Sequence, residues 1–112
     1  MDTLTHSREL IKQIIQGHAH VNPEDREQLR VETIFDDTHD HYALVESGWL
    51  RGHRIEGQVI HVDLIGGKFW IQFDGTEYGV ARELEDLGVP KQDIVLAFHS
   101  PAKRALTEYA LG

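Results

Sequence analysis

His61 and Asp63 stand two residues apart in Ile60-His61-Val62-Asp63-Leu64, and Trp70, Gln72 and Asp74 follow closely. On a β-strand, side chains at i and i+2 point to one face, so this carboxylate can orient this imidazole. A general base or a metal-binding pair needs that arrangement, together with a third convergent group. Nothing adjacent in the sequence supplies the third group or a nucleophile of defined geometry. The simpler reading is the polar outer face of a hairpin, with Trp70 packed over its neighbours.

His18-Ala19-His20 and His39-Asp40-His41 are two further i, i+2 histidine pairs. In extended chain such pairs suit a metal, but zinc sites want three or four ligands held by surrounding hydrogen bonds. Both pairs fall at element ends or in loops, where that support is missing. Gly66-Gly67 sits inside a hairpin and lacks the strand-to-helix context of a phosphate cradle. Asp74-Gly75-Thr76-Glu77 shares only composition with the aspartic protease motif, and Glu83, Glu85 and Asp86 read as a solvated helix face. No catalytic, cofactor-binding or metal-ligating residue is therefore assigned, no cofactor is expected, and an enzyme is not predicted. The alternative is a small enzyme or metal site on the face of His61, Asp63 and Trp70.

The elements that carry these residues follow from periodicity. Leu4, Ile11, Ile14, Ile15 and His18 recur at helical spacing, which predicts an amphipathic helix over residues 3–17 with Asp2 or Thr3 as cap. Asn22-Pro23-Glu24-Asp25 reads as a turn or loop. Alternation then predicts strands from Leu29 to Phe35, Tyr42 to Leu50, Arg54 to Ile65 and Lys68 to Phe73, with Gly52 and Gly66-Gly67 supplying turns.

In the last hairpin Ile65 should face Lys68, Leu64 Phe69, Val62 Ile71 and Ile60 Phe73, which gives one apolar face. The opposite face should carry Asp63 beside Trp70 and His61 beside Gln72. Val80, Ala81, Leu84 and Leu87 predict a helix capped by Asp74 or Thr76 and ended by Gly88. Ile94 to Phe98 reads as a short buried strand. Ser100-Pro101 opens a final helix with Ala102, Ala105, Leu106 and Tyr109 on one side. This is an α+β domain: helix, four-stranded largely antiparallel meander, helix, strand, helix.

Composition bounds the function. One domain is the default for 112 residues, and 40% hydrophobic content is enough for a real core. The absence of cysteine removes disulfides, thiolate zinc sites and a cysteine nucleophile, as suits a reducing compartment. The start, MDTLTHSREL, lacks the basic and apolar run of a signal peptide, and the longest apolar run, Ile94 to Phe98, is too short to cross a bilayer. A cytoplasmic protein without membrane attachment is expected. The formal net charge of −8 disfavours direct, tight nucleic-acid binding, which needs a basic footprint. The basic spots are small: Arg51 with Arg54, and Lys103 with Arg104.

Val45, Trp49, Ile55 and Val59 should share the outer sheet face with His61, Asp63, Trp70 and Gln72. These residues form a candidate interaction surface that a helix, a partner or a second copy must cover. Uncovered apolar patches with tryptophan favour association, so a homo-oligomer, most simply a dimer, is expected.

Several blocks in order carry a resemblance: Glu32-Thr33-Ile34-Phe35-Asp36, Gly48-Trp49, Ile60-His61-Val62-Asp63, Lys68-Phe69-Trp70-Ile71-Gln72, Asp74-Gly75-Thr76-Glu77, Gly88-Val89-Pro90-Lys91 and Asp93-Ile94-Val95-Leu96-Ala97-Phe98-His99. With them the chain resembles the XisI family, the fdxN-element excision controlling factor proteins, over nearly its whole length. Ser100 before Pro101 departs from the pattern, where family members often have a second proline. The resemblance implies a small cyanobacterial-type cytoplasmic protein. It also implies a part in excising a DNA element beside a site-specific recombinase and a XisH-type protein partner. It implies no catalytic residues.

Overall fold

The apolar positions at helical spacing build α1 (Thr3–His18), which buries Ile11, Ile14 and Ile15. The structure is a computed structural model that describes residues 3–112. Asp2, one of the two expected caps, lies outside the described residues. After a 3₁₀ turn at Pro23–Asp25 come β1 (Leu29–Asp36), β2 (His41–Leu50), β3 (His53–Ile65) and β4 (Lys68–Asp74). Then follow α2 (Val80–Asp86), a 3₁₀ turn at Lys91–Asp93, β5 (Ile94–Leu96) and a single helical turn, α3 (Pro101–Arg104).

The five strands form one open sheet in the order β1-β2-β3-β4-β5. The first four are antiparallel neighbours, and β5 joins β4 in parallel after the α2 crossover. The α+β expectation holds, and the short last strand makes the sheet mixed. Tyr42, Leu44, Ile60, Val62, Leu64, Phe69, Ile71 and Ile94 from one sheet face form the core. Ile11, Ile14 and Ile15 of α1 and Val80, Ala81 and Leu84 of α2 cover them. Each fully buried large aliphatic side chain contributes on the order of 1.5–3 kcal/mol.

The β3–β4 turn follows from its glycines. Gly66 and Gly67 have φ of 58° and 79°, as a type I′ hairpin turn requires. Ile65 faces Lys68, Leu64 faces Phe69, Asp63 faces Trp70 and Val62 faces Ile71. Beyond that point the register departs from expectation. The ladder slips at His61/Val62, so Ile60 faces Asp74 and His61 faces Phe73. Gln72 is the extra residue of a β-bulge, and Phe73, expected in the core, is 44% exposed.

A second bulge lies between β2 and β3: Leu44 faces Ile60 but Val45 faces Gln58, which leaves Val59 over. The Val59 carbonyl accepts the Gly75 N–H at 2.8 Å. The slip corrects two expected positions. Val59 packs against the core, and Ile55 faces Gly48 on the side opposite Trp49, which pairs with Arg54.

The helix ends also differ in detail. Asp74 caps α2 from a distance: its carboxylate accepts Val80 N–H at 2.8 Å and Thr76 N–H at 2.9 Å. The strand expected to reach Phe98 ends at Leu96, and Phe98 is exposed. The final helix expected to reach Tyr109 stops after one turn. Thr107 Oγ1 donates to the Arg104 carbonyl at 2.8 Å, a side-chain bond that competes with helix continuation, and Leu106 is 86% exposed. The tail instead runs back beside β5, where Ala110 bridges Val95 and its N–H reaches Ile94 O at 2.9 Å. Arg104 holds this tail. Its guanidinium donates to His99 O, Leu111 O and Ala97 O, and lies 5.5 Å from the centre of the Trp70 ring.

Candidate functional site

The sheet face opposite the helices carries the candidate residues. Paired residues share a face, so His41 opposite Asp63 and Ala43 opposite His61 bring both histidines and the carboxylate together. Asp63 is 8% exposed, the one buried charged residue among those described. Its Oδ1 lies 2.7 Å from His41 Nδ1 and 2.9 Å from His61 Nε2, while Gln72 Nε2 donates to Oδ2 at 3.2 Å. The ligand-type atoms of His41, His61 and Asp63 all lie within 4.8 Å of one another.

The third convergent group that local spacing could not provide is thus His41. It is one half of the His39-Asp40-His41 pair, brought in by the neighbouring strand. The Asp63 carboxylate beside it raises the His41 imidazole above its ordinary range. Burying a carboxylate is costly unless it is paired and hydrogen-bonded, and three donors here share that task. His39 stacks on His41 with ring centres 6.4 Å apart and is itself held by Asp36 at 2.9 Å. The cluster can hold a cation or retain a proton between its rings; no nucleophile stands among the contacts of Asp63.

Trp70 shares the face but not the cluster. It is half-buried under Arg104 and the chain end, where a Cβ on Gly112 would meet its ring at 3.3 Å. Trp49 lies toward the far end of β2, 59% exposed, with the Arg54 guanidinium 5.8 Å from its ring centre. Val45 borders a shallow concavity of about 420 Å³ formed with Ile34, Ser47, Glu56 and Gln58 where the sheet bends at the bulge. Ile34 and Phe73, both exposed, join the outer face that Ile55 and Val59 leave.

Two other polar features belong to the opposite side. Tyr42 is fully buried and donates to Asp37 and Asp40, which in turn hold Lys12 and Arg8 of α1 at 2.8 Å each. Burial first, and then these carboxylates, push the Tyr42 phenol well up. The network ties α1 to the β1–β2 turn. His18 Nε2 meets Glu83 Oε2 at 2.7 Å beside a groove of about 290 Å³ between α1 and α2, so this histidine bridges two helices and does not pair with His20.

The family model described as XisI protein matches residues 1–111. The chain is similar to a XisI-like protein from Anabaena variabilis ATCC 29413, with 35% identity and a TM-score of 0.89 over 97% of this chain and 99% of that one. It is also similar to the fdxN element excision controlling factor XisI from the same organism, with 32% identity and a TM-score of 0.81 over 99% and 100% of the two chains. No curated protein matches. Among the described residues no helix is long and apolar enough to cross a membrane.

Proposed function

The chain belongs to the XisI family, and from this we propose that it is an accessory factor controlling excision of a DNA element. It acts in the cytoplasm by contacting proteins and not by catalysis. Its partners are a XisH-type protein, beside a site-specific recombinase, and a second copy of itself. The excision role rests on the likeness to the fdxN element excision controlling factor XisI, 32% identical over 99% of this chain.

The observation that supports a protein surface as the working part is the uncovered sheet face. Both α1 and α2 pack on the other side, which leaves Ile34, Trp49 and Phe73 56%, 59% and 44% exposed. Tryptophan is a favoured anchor where proteins meet. The charge argues against autonomous grip on DNA. At −8 the chain opposes phosphate, and Arg54 and Arg104 are committed to the rings of Trp49 and Trp70.

Co-purification of the tagged chain from its native host, with partners identified by mass, tests the reading. A XisH-type protein retained by the wild type and lost from Trp49→Glu is the expected result. Retention of no such protein, or a shift of a DNA duplex by the purified chain at physiological salt, would overturn it.

A further inference from the structure

We propose that His41, His61 and Asp63 form a binding site for a divalent transition-metal ion of the zinc class, with one coordination position open to solvent. This goes beyond the partner-binding reading and stands independently of it. All three side chains come from paired strands: His41 begins β2, while His61 and Asp63 alternate along β3. Strands fix ligand positions better than loops do. Two imidazole nitrogens and one carboxylate oxygen are the three-ligand set that zinc uses where it keeps a fourth position free. The nitrogen-rich set selects zinc, cobalt or nickel over magnesium or calcium, which take oxygen ligands.

The distances are close to those a bound ion needs. Metal–ligand bonds of about 2.1 Å in a tetrahedron set ligand atoms about 3.4 Å apart. The two nitrogens now stand 2.7 and 2.9 Å from the same Asp63 oxygen, and the whole set spans no more than 4.8 Å. Opening these two contacts by about 0.5–0.7 Å seats the ion, a shift within the reach of side-chain torsions.

The surroundings resemble those of a built site. Gln72 Nε2 holds the second carboxylate oxygen at 3.2 Å, which turns Oδ1 toward the rings. Such outer hydrogen bonds orient metal ligands and sustain affinity. The open side is His41, whose side chain is 57% exposed while that of Asp63 is 12% exposed. The competing account is a purely hydrogen-bonded cluster, with both rings donating to one carboxylate oxygen.

The test uses the full chain, stripped by chelator and titrated with zinc against a chromogenic competitor, then with cobalt for its visible spectrum. One equivalent bound at micromolar concentration is expected, with a cobalt spectrum of a four-coordinate nitrogen and oxygen site. His41→Ala, kept for the test only if its metal-free melting curve still shows a folded chain, should weaken binding by about 10-fold or more. His61→Ala and Asp63→Asn should do the same, and His53→Ala should not. Two results would overturn the proposal. One is a folded wild type that takes up no zinc or cobalt at these concentrations; the other is uptake that survives both His41→Ala and His61→Ala.

Discussion

Gln72 has no cross-strand partner in the β3–β4 ladder, and its side-chain amide donates to Asp63 Oδ2 at 3.2 Å. The bulge takes Gln72 out of the ladder at the residue whose amide reaches the buried carboxylate, so a backbone irregularity and a polar cluster meet at one position. A bulge beside a polar site commonly re-aims a side chain in this way.

Gln72→Leu should therefore destabilise the fold by about 1–3 kcal/mol, because a buried charged oxygen loses a donor. Gln72→Glu should cost more, since it sets a second carboxylate against Asp63. Urea unfolding of the two variants measures this. A Gln72→Leu variant as stable as the wild type would mean that the amide does not hold Asp63.

A second sensitive point is Gly48, at φ 151° in β2. A Cβ there would collide with the Gln28 carbonyl oxygen, the same atom that accepts Trp49 N–H at 3.1 Å. Gly48→Ala should cost about 1–3 kcal/mol through backbone strain and the displaced bond. Gly57, at φ 156°, has nothing within 4 Å of the equivalent position. Gly57→Ala should cost less, and equal losses in thermal unfolding would contradict the steric account.

How much of this was legible depends on where the backbone is regular. The Gly66-Gly67 turn and strict alternation fixed Leu64, Val62, Phe69 and Ile71 on the core side without coordinates. The family was legible from blocks of residues in order. The two bulges were not, because neither glycine nor proline marks Val59 or Gln72. Counting from Leu50 opposite His53 without a slip would set His41 opposite Val62, on the core side. The extra residue at Val59 moves His41 opposite Asp63, so the third member of the cluster was invisible to spacing. The same slip divides the expected apolar patch: Trp49 stays outside and Ile55 crosses over. At the other end, the spacing of Ala105, Leu106 and Tyr109 suggested a helix. Ala105 and Leu106 are left exposed while Tyr109 packs against the core and donates to Glu85 of α2 at 2.7 Å, and Arg104 ties the segment down by its carbonyls instead.

Acid sensitivity should trace in part to Asp37. Hydrogen bonds from Lys12 and then Tyr42 hold its carboxyl below the ordinary value of 3.8. A carboxylate depressed in the folded state contributes stability that is complete above its unfolded value and is lost as pH falls through the folded one. Asp37→Asn should thus flatten the loss of stability below about pH 4, while stability at neutral pH falls only slightly because the pair is exposed. Denaturant midpoints taken across that range test it. An acid limb identical to the wild type would remove Asp37 from the account.

The two faces of the sheet should answer substitution in opposite ways. Trp49 is 59% exposed and rests against Arg54, whereas Val62 on the next strand is fully buried under α1 and α2. Val62→Asp puts an unpaired carboxylate into the core and should cost several kcal/mol, on the order of the whole stability of a small domain. Trp49→Glu leaves the core intact and should stay within about 0.5 kcal/mol of the wild type in urea. Its effect belongs to association. Trp49 stands with Ile34, Val45 and Phe73 on the face that α1 and α2 leave open. A two-fold pairing of that face hides it most simply. Light scattering on the wild type should give a dimer at tens of micromolar, and Trp49→Glu should give a folded monomer. A wild type that remains monomeric removes self-association. If Trp49→Glu unfolds the chain, the ring is part of the core and the free face does not exist.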